Sequence, residues 1–206
     1  KAVEVKSSRE LATMRRAGAI VADVLALLSG AIAPGMTTGG IDAIAREELK
    51  KRGAKPAFLN YHGFPAVICV SINHEVVHGI PSVKRALKDG DIVGLDFGAV
   101  VDGWFGDAAV SVGVGRISPE AERLLRVTRE SLEKGIAAVK AGARLGDIGA
   151  AVQGHAEAAG FSVVRDFVGH GIGRALHEDP AVPNYGQAGT GARLKSGMTL
   201  AIKPMV

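Results

Sequence analysis

The most apolar stretch of the chain, Ala17 to Pro34, follows Ser7 and Glu10 at the spacing of a capping box, so the pattern predicts a helix from Ser7 to about Ser29. Asp23 sits in the middle of that stretch, where a carboxylate would cost about 2.5–3.5 kcal/mol in a bilayer, so it reads as a buried helix and not a membrane span. Pro34-Gly35 ends it, and a second helix runs from about Gly40 to Lys51 and stops at Gly53. Ser118-Pro119-Glu120 supplies an N-cap, a first-turn proline and a first-turn acid for a third helix reaching about Lys140. Ala141-Gly142 breaks it, and a fourth helix runs from about Leu145 to Gly160. Strands are predicted at Ala66–Ile72, Ile92–Gly98, Asp107–Val114, Phe161–Val168 and Met198–Lys203.

Helix pairs thus alternate with strand clusters twice, which predicts an α+β fold with antiparallel sheet. A shift of 107 residues superposes Gly35 on Gly142, Ile41 on Ile148, Ala43 on Ala150 and Gly53 on Gly160. Matched helix order together with these identities points to an ancient duplication, and no linker divides the chain. At 206 residues it is long enough to bury a real core, and 28 glycines without a Gly-X-Y period exclude collagen and imply many tight turns. The lone Cys69 excludes an internal disulfide and favours a reducing compartment. A net charge of +4 suits an anionic partner such as ribosomal or other RNA, but scattered basic residues and few aromatics weigh against a nucleic-acid face.

Chemistry concentrates in three segments. In GDIVGLDFGAVVDGWFGDAAVSV, Asp102-Gly103 reads as a two-residue hairpin turn that sets Gly98 opposite Asp107 and Ala109 opposite Asp96. Asp96 and Asp107 then share one face as diagonal neighbours. Two acids placed together amid Leu95, Phe97, Ala108 and Val110 favour a shared divalent cation over solvated turn acids. In FVGHGIGRALHEDP, glycines bracket His170 and permit a close backbone approach; of His170 and His177, one can ligate a metal while the other reaches a substrate. The glycines lack the helix-opening context of a dinucleotide fingerprint. In SINHEVVHGIP, His78 before Gly79 and Pro81 is placed as a functional loop residue, whereas His74 and Glu75 read as exposed turn residues. His62 in YHGFP stands evenly between structural and pocket-lining, serine-nucleophile motifs are absent, and Cys69 lies in an apolar run where thiols are inert.

Taken in order, SINHEVVHGIP, GDIVGLDFG followed by DGWFGD, GHGIGRALHEDP and SGMTLAIKPMV make the chain resemble the type I methionine aminopeptidases of the pita-bread metallopeptidase superfamily. GHG and the HExP pattern are shared with prolidase and creatinase relatives, but VVHGIP favours the methionine branch. The resemblance implies a pita-bread fold: two pseudo-symmetric halves, each a helix pair with antiparallel strands, around a central curved sheet. It also implies a single catalytic domain over residues 1–206 that removes the initiator methionine from nascent polypeptides in the cytoplasm, using two divalent ions drawn from Co, Mn, Fe or Zn. Nascent N-termini are the implied partners, with the ribosome beside them; neither DNA nor a membrane is implied, and the chain would be a monomer.

Residue by residue, the resemblance places Asp96, Asp107 and His170 on metal-ligand positions, and His78 and His177 on catalytic positions that contact the substrate. Phe58, Tyr61, Phe64, Cys69 and Leu176, with His62 beside them, fall on the pocket for the methionine side chain, whose thioether suits polarizable walls. One departure stands out. Lys203 occupies the position of a glutamate that ligates metal in the family, and an ammonium has no lone pair to offer. The chain begins with Lys1 instead of Met and stops at Val206, before the strands that carry a second glutamate ligand, which reads as a C-terminal truncation. The alternative reading is a catalytically inactive pita-bread module that binds peptides, proteins or the ribosome.

Overall fold

The computed structural model describes residues 2–206, which divide into two compact units. One is Ala12–Glu122; the other joins the N-terminal residues through Leu11 to Arg123–Val206.

Helix α1 (Ser8–Ala31) starts from the expected capping box: the Ser7 amide donates to Glu10 Oε1 (2.9 Å) and the Glu10 amide to Ser7 Oγ (3.2 Å). Its buried positions, Ala17, Val21, Val24, Leu25 and Leu28, recur at helical spacing and face the core of the Ala12–Glu122 unit. Among the described residues no helix is long and apolar enough to cross a membrane. Helix α2 (Thr38–Lys51) opens two residues earlier than the pattern predicts, because Thr37 caps it by accepting from the Gly40 amide (3.0 Å).

Beside the helices lies a four-stranded antiparallel sheet of β1 (Lys55–Pro56), β2 (Ile68–Ile72), β3 (Ile92–Val101) and β4 (Trp104–Gly113). Strand β3 pairs with all three others. Its alternate residues Val93, Leu95, Phe97 and Ala99 are fully buried against α1, α2 and β2 side chains. Phe97→Ala is expected to cost about 3–5 kcal/mol in chemical denaturation, since the cavity would open at the centre of this cluster.

The second unit holds all but the first turn of α3 (Pro119–Ala137), with α4 (Leu145–Ala158) and a three-stranded sheet ordered β6-β5-β7, formed by β5 (Gly169–Gly171), β6 (Glu178–Val182) and β7 (Leu200–Ala201). Ser118 Oγ accepts the Ala121 amide (3.1 Å), as its N-cap reading requires. Ile148, Val182 and Leu194 centre the core.

Two strand expectations need correction here. Residues 161–168 are not a strand; pairing starts at Gly169, where β6 and β7 flank the chain on both sides. Of Met198–Lys203 only Leu200–Ala201 is strand. Strand β6 went unpredicted because it contains Pro180, which removes a ladder donor and disguises an edge strand.

The duplication is written in the backbone. The Gly35 amide donates to the Leu87 carbonyl (2.8 Å) and the Leu87 amide to that of Met36 (2.7 Å). The pairs Gly142 to Leu194 (2.9 Å) and Leu194 to Ala143 (2.7 Å) repeat them 107 residues on. The isolated bridges Thr37–Ala86 and Arg144–Arg193 keep the same offset.

Candidate active site

The β3–β4 hairpin turns at Asp102 (φ 49°) and Gly103 (φ 82°), the double left-handed geometry that an Asp-Gly pair adopts most readily. The register follows: Gly98 faces Asp107 and Asp96 faces Ala109, so the two acids share a face as the sequence predicts. That face is not the one Leu95 and Phe97 occupy. These two point into the core, and both acids are half-buried on the opposite side.

Cys69 on β2 is paired directly with Asp96, which puts its side chain on the acids' face. A Cβ at Gly98 would stand 2.8 Å from Ala57 Cβ and 2.9 Å from Phe58 Cε1, so the Phe58 ring fills the space the glycine leaves. Gly98→Ala is expected to cost about 1–3 kcal/mol by overpacking against Ala57 and Phe58, read as a lower melting temperature.

Phe58, Tyr61 and Phe64 come from one tight loop, closed by hydrogen bonds from Tyr61 to the Phe58 carbonyl (3.0 Å) and from Asn60 to that of Phe64 (2.8 Å). Tyr61 and His62 are exposed and meet edge to face with ring centroids 4.4 Å apart. Asn60 (φ 65°), His62 (φ 48°) and His78 (φ 62°) all hold left-handed backbone, a strain that clusters at functional loops. His78 is exposed on a pinned segment. The Val70 amide donates to the Gly79 carbonyl (3.0 Å), the Gly79 amide to Ser71 Oγ (3.0 Å), and a Cβ at Gly79 would fall 2.0 Å from the Val70 carbonyl.

In the other unit His170 is the centre of β5, paired with Ala181 and Ala201 and 7% exposed. The flanking glycines serve the sheet: Cβ atoms at Gly169 and Gly171 would lie 2.2 Å from the carbonyls of Ala201 and Asp179. His170 Nδ1 lies 2.9 Å from the Gly171 carbonyl, which can only accept. The neutral ring therefore carries its proton on Nδ1 and its lone pair on Nε2, the tautomer of a ligand imidazole. The exposed His177 stands with its ring centroid 4.2 Å from that of His170, tilted by 55°, and Leu176 beside it is buried.

Lys203 is half-buried just past β7, 107 residues after Asp96, the counterpart position in the repeat. Its carbonyl accepts from the amide nitrogen of Asn184 (2.7 Å), a fully buried residue that nothing in the sequence pattern singles out.

Carboxylate oxygens and an imidazole nitrogen are donors suited to Mn, Fe, Co or Zn, and Asp96 and Asp107 present two such carboxylates on one face of the hairpin. Among the described residues no three of His, Cys, Asp and Glu are grouped as a metal site.

Residues 12–206 match the model of metallopeptidase family M24. The chain is 50% identical over 202 residues to a methionine aminopeptidase of Clostridium acetobutylicum, covering 98% of this chain and 81% of the relative. It is 52% identical over 201 residues to methionine aminopeptidase 1 of Bacillus subtilis, with the same two shares. The crystal structure of methionine aminopeptidase from Thermotoga maritima superposes with a TM-score of 0.97 at 48% identity, over 98% of this chain and 82% of that one. Both curated relatives carry the name of an enzyme, so the reading of an inactive binding module finds no support in them. The α+β pita-bread expectation holds over nearly the whole length. The chain belongs to metallopeptidase family M24, and within it to the methionine aminopeptidases.

Proposed function

We propose that this chain removes N-terminal methionine from nascent polypeptides in the cytoplasm, acting as a monomer beside the ribosome, with Asp96, Asp107 and His170 as its ligands to divalent metal. The observation that carries the reading is the β3–β4 register, which sets both carboxylates on one face. What a divalent ion supplies when bound is acidity, lowering the pKa of a water toward neutrality.

The protein's own groups do the rest. Cys69, beside Asp96, and Phe58, against the neighbouring Gly98, offer apolar, polarizable contacts on the acids' side of the sheet. With Tyr61 and Phe64, and His62 at the rim, they are proposed to receive the methionine side chain. Leu176 is proposed as a further contact of that side chain. His78 and His177 hold the scissile amide, each able to donate to its carbonyl or steady the leaving nitrogen. Lys203 cannot ligate, so the second of two ions rests on restoring a carboxylate there.

The test is methionine release from Met-Ala-Ser with Mn or Co, alongside metal analysis of the protein. Turnover that requires metal and disappears with chelator is expected. No release by the chain or by its Lys203→Glu variant, both folded, overturns the reading.

A further inference from the structure

We infer that Lys6, acting through Glu178, is a positioning residue for His177; the inference rests on the aminopeptidase reading, in which His177 touches the substrate.

Lysine is almost never fully buried unless paired, yet the Lys6 side chain is 1% exposed. Its Nζ lies 2.8 Å from Glu178 Oε1 and 3.3 Å from the Glu4 carbonyl. The main chain is shaped to admit it. The Lys6 amide donates to the Gly197 carbonyl (2.8 Å), and a Cβ at Gly197 would stand 2.6 Å from Val5 Cγ1. A Cβ at Gly173 would stand 2.6 Å from Lys6 Cε and 2.7 Å from Glu178 Oε1.

Glu178 uses its second oxygen as well. Oε2 accepts the Arg174 amide (3.1 Å), so one carboxylate ties Lys6 to both ends of the 174–178 turn. The Arg174 guanidinium reaches Glu10 (3.0 Å), whose carboxyl is held below its ordinary value by the Ser7 amide first and by Arg174 next. Glu178 also stands opposite Gly171 in the ladder, directly after His170 in the chain.

His177 is the residue before Glu178, and its exposed ring packs against that of His170, with centroids 4.2 Å apart. The backbone that carries this ring follows the path of residues 174–178, and the Glu178 carboxylate, held by Lys6 and by the Arg174 amide, fixes that path. A purely structural ion pair could sit anywhere in the unit. This one brackets a residue that contacts substrate, where misplacement by about 1 Å costs on the order of 10²-fold in rate.

Two variants test it: Lys6→Met, and Lys6→Met with Glu178→Leu, which removes the partly buried charge left unpaired by the first. For both, kcat and KM on Met-Ala-Ser with Mn are measured together with melting temperature and hydrogen exchange at the Arg174 amide. Lys6→Met is expected to lower kcat on the order of 10²-fold with KM nearly unchanged, and to speed exchange at Arg174 while α4 stays protected. The double variant is expected to recover melting temperature but neither kcat nor the slow exchange. Recovery of kcat together with stability makes the pair structural and overturns the inference, as does a folded Lys6→Met with unchanged kcat and exchange. If the unaltered chain releases no methionine, the aminopeptidase reading fails on its own account, and exchange at Arg174 still decides whether Lys6 holds the turn.

Discussion

Lys203→Glu is expected to raise metal-dependent methionine release on the order of 10²–10⁴-fold, the range a well-placed general base contributes. Position 203 is the repeat's counterpart of Asp96, one of the two acids on the hairpin face, and the family that the chain resembles carries a glutamate there. The backbone is already fixed, since Asn184 holds the Lys203 carbonyl (2.7 Å), and the half-buried side chain can be exchanged without opening the core. Glutamate replaces three donors by lone pairs, which serve both as ligand and as proton acceptor. Lys203→Gln separates two effects: it removes the positive charge without adding a negative one, and a smaller rise is expected. Metal analysis reads the same change directly, with more Mn retained per chain in the glutamate variant. Equal metal content and equal turnover in all three proteins, each with the parent melting temperature, would remove Lys203 as the limit on the site.

How much of this was legible in the sequence depended on whether local rules decide the outcome. The hairpin was, because Asp102-Gly103 fixes a two-residue turn and the turn fixes the register, so the placing of Asp96 beside Asp107 needed no tertiary information. The capping box at Ser7 and the 107-residue repeat were legible for the same reason, since both are short-range grammar.

Pairing by distant strands was not. β5 is a strand only because β6 and β7 flank it, so residues 161–168 carry a strand-like composition without the partners. The glycines around His170 illustrate the same limit. They read as permitting a close backbone approach without saying to what; at Gly169 and Gly171 it is to carbonyls of neighbouring strands, and at Gly173 to Lys6 and Glu178. Lys6 and Asn184 left no signal at all, because a single polar residue shows its burial only once the chain is packed around it.

Asp107→Asn is expected to abolish the stabilisation that metal gives, while its neighbour on the hairpin changes nothing. A metal that binds only the folded chain stabilises it by about 2.7 kcal/mol at a hundred times its Kd, roughly 5–10 °C in melting temperature for a chain of this size. Asparagine keeps the shape of the side chain but loses the charge, and the residue opposite is Gly98, which has no side chain to compensate. The Mn-induced shift should therefore fall close to zero and methionine release at least on the order of 10²-fold, each variant being compared with its own metal-free baseline. Asp102→Asn is the matched control. Asp102 tips the same hairpin with its side chain 71% exposed, its ion pair with Arg16 (3.1 Å) is a surface one worth about 0–1 kcal/mol, and asparagine is well suited to its left-handed backbone. Its Mn response should match the parent's. If Asp107→Asn keeps the full shift, or both variants lose it equally, the cation is held by general acidity of the ribbon and not by the face that Asp96 and Asp107 share.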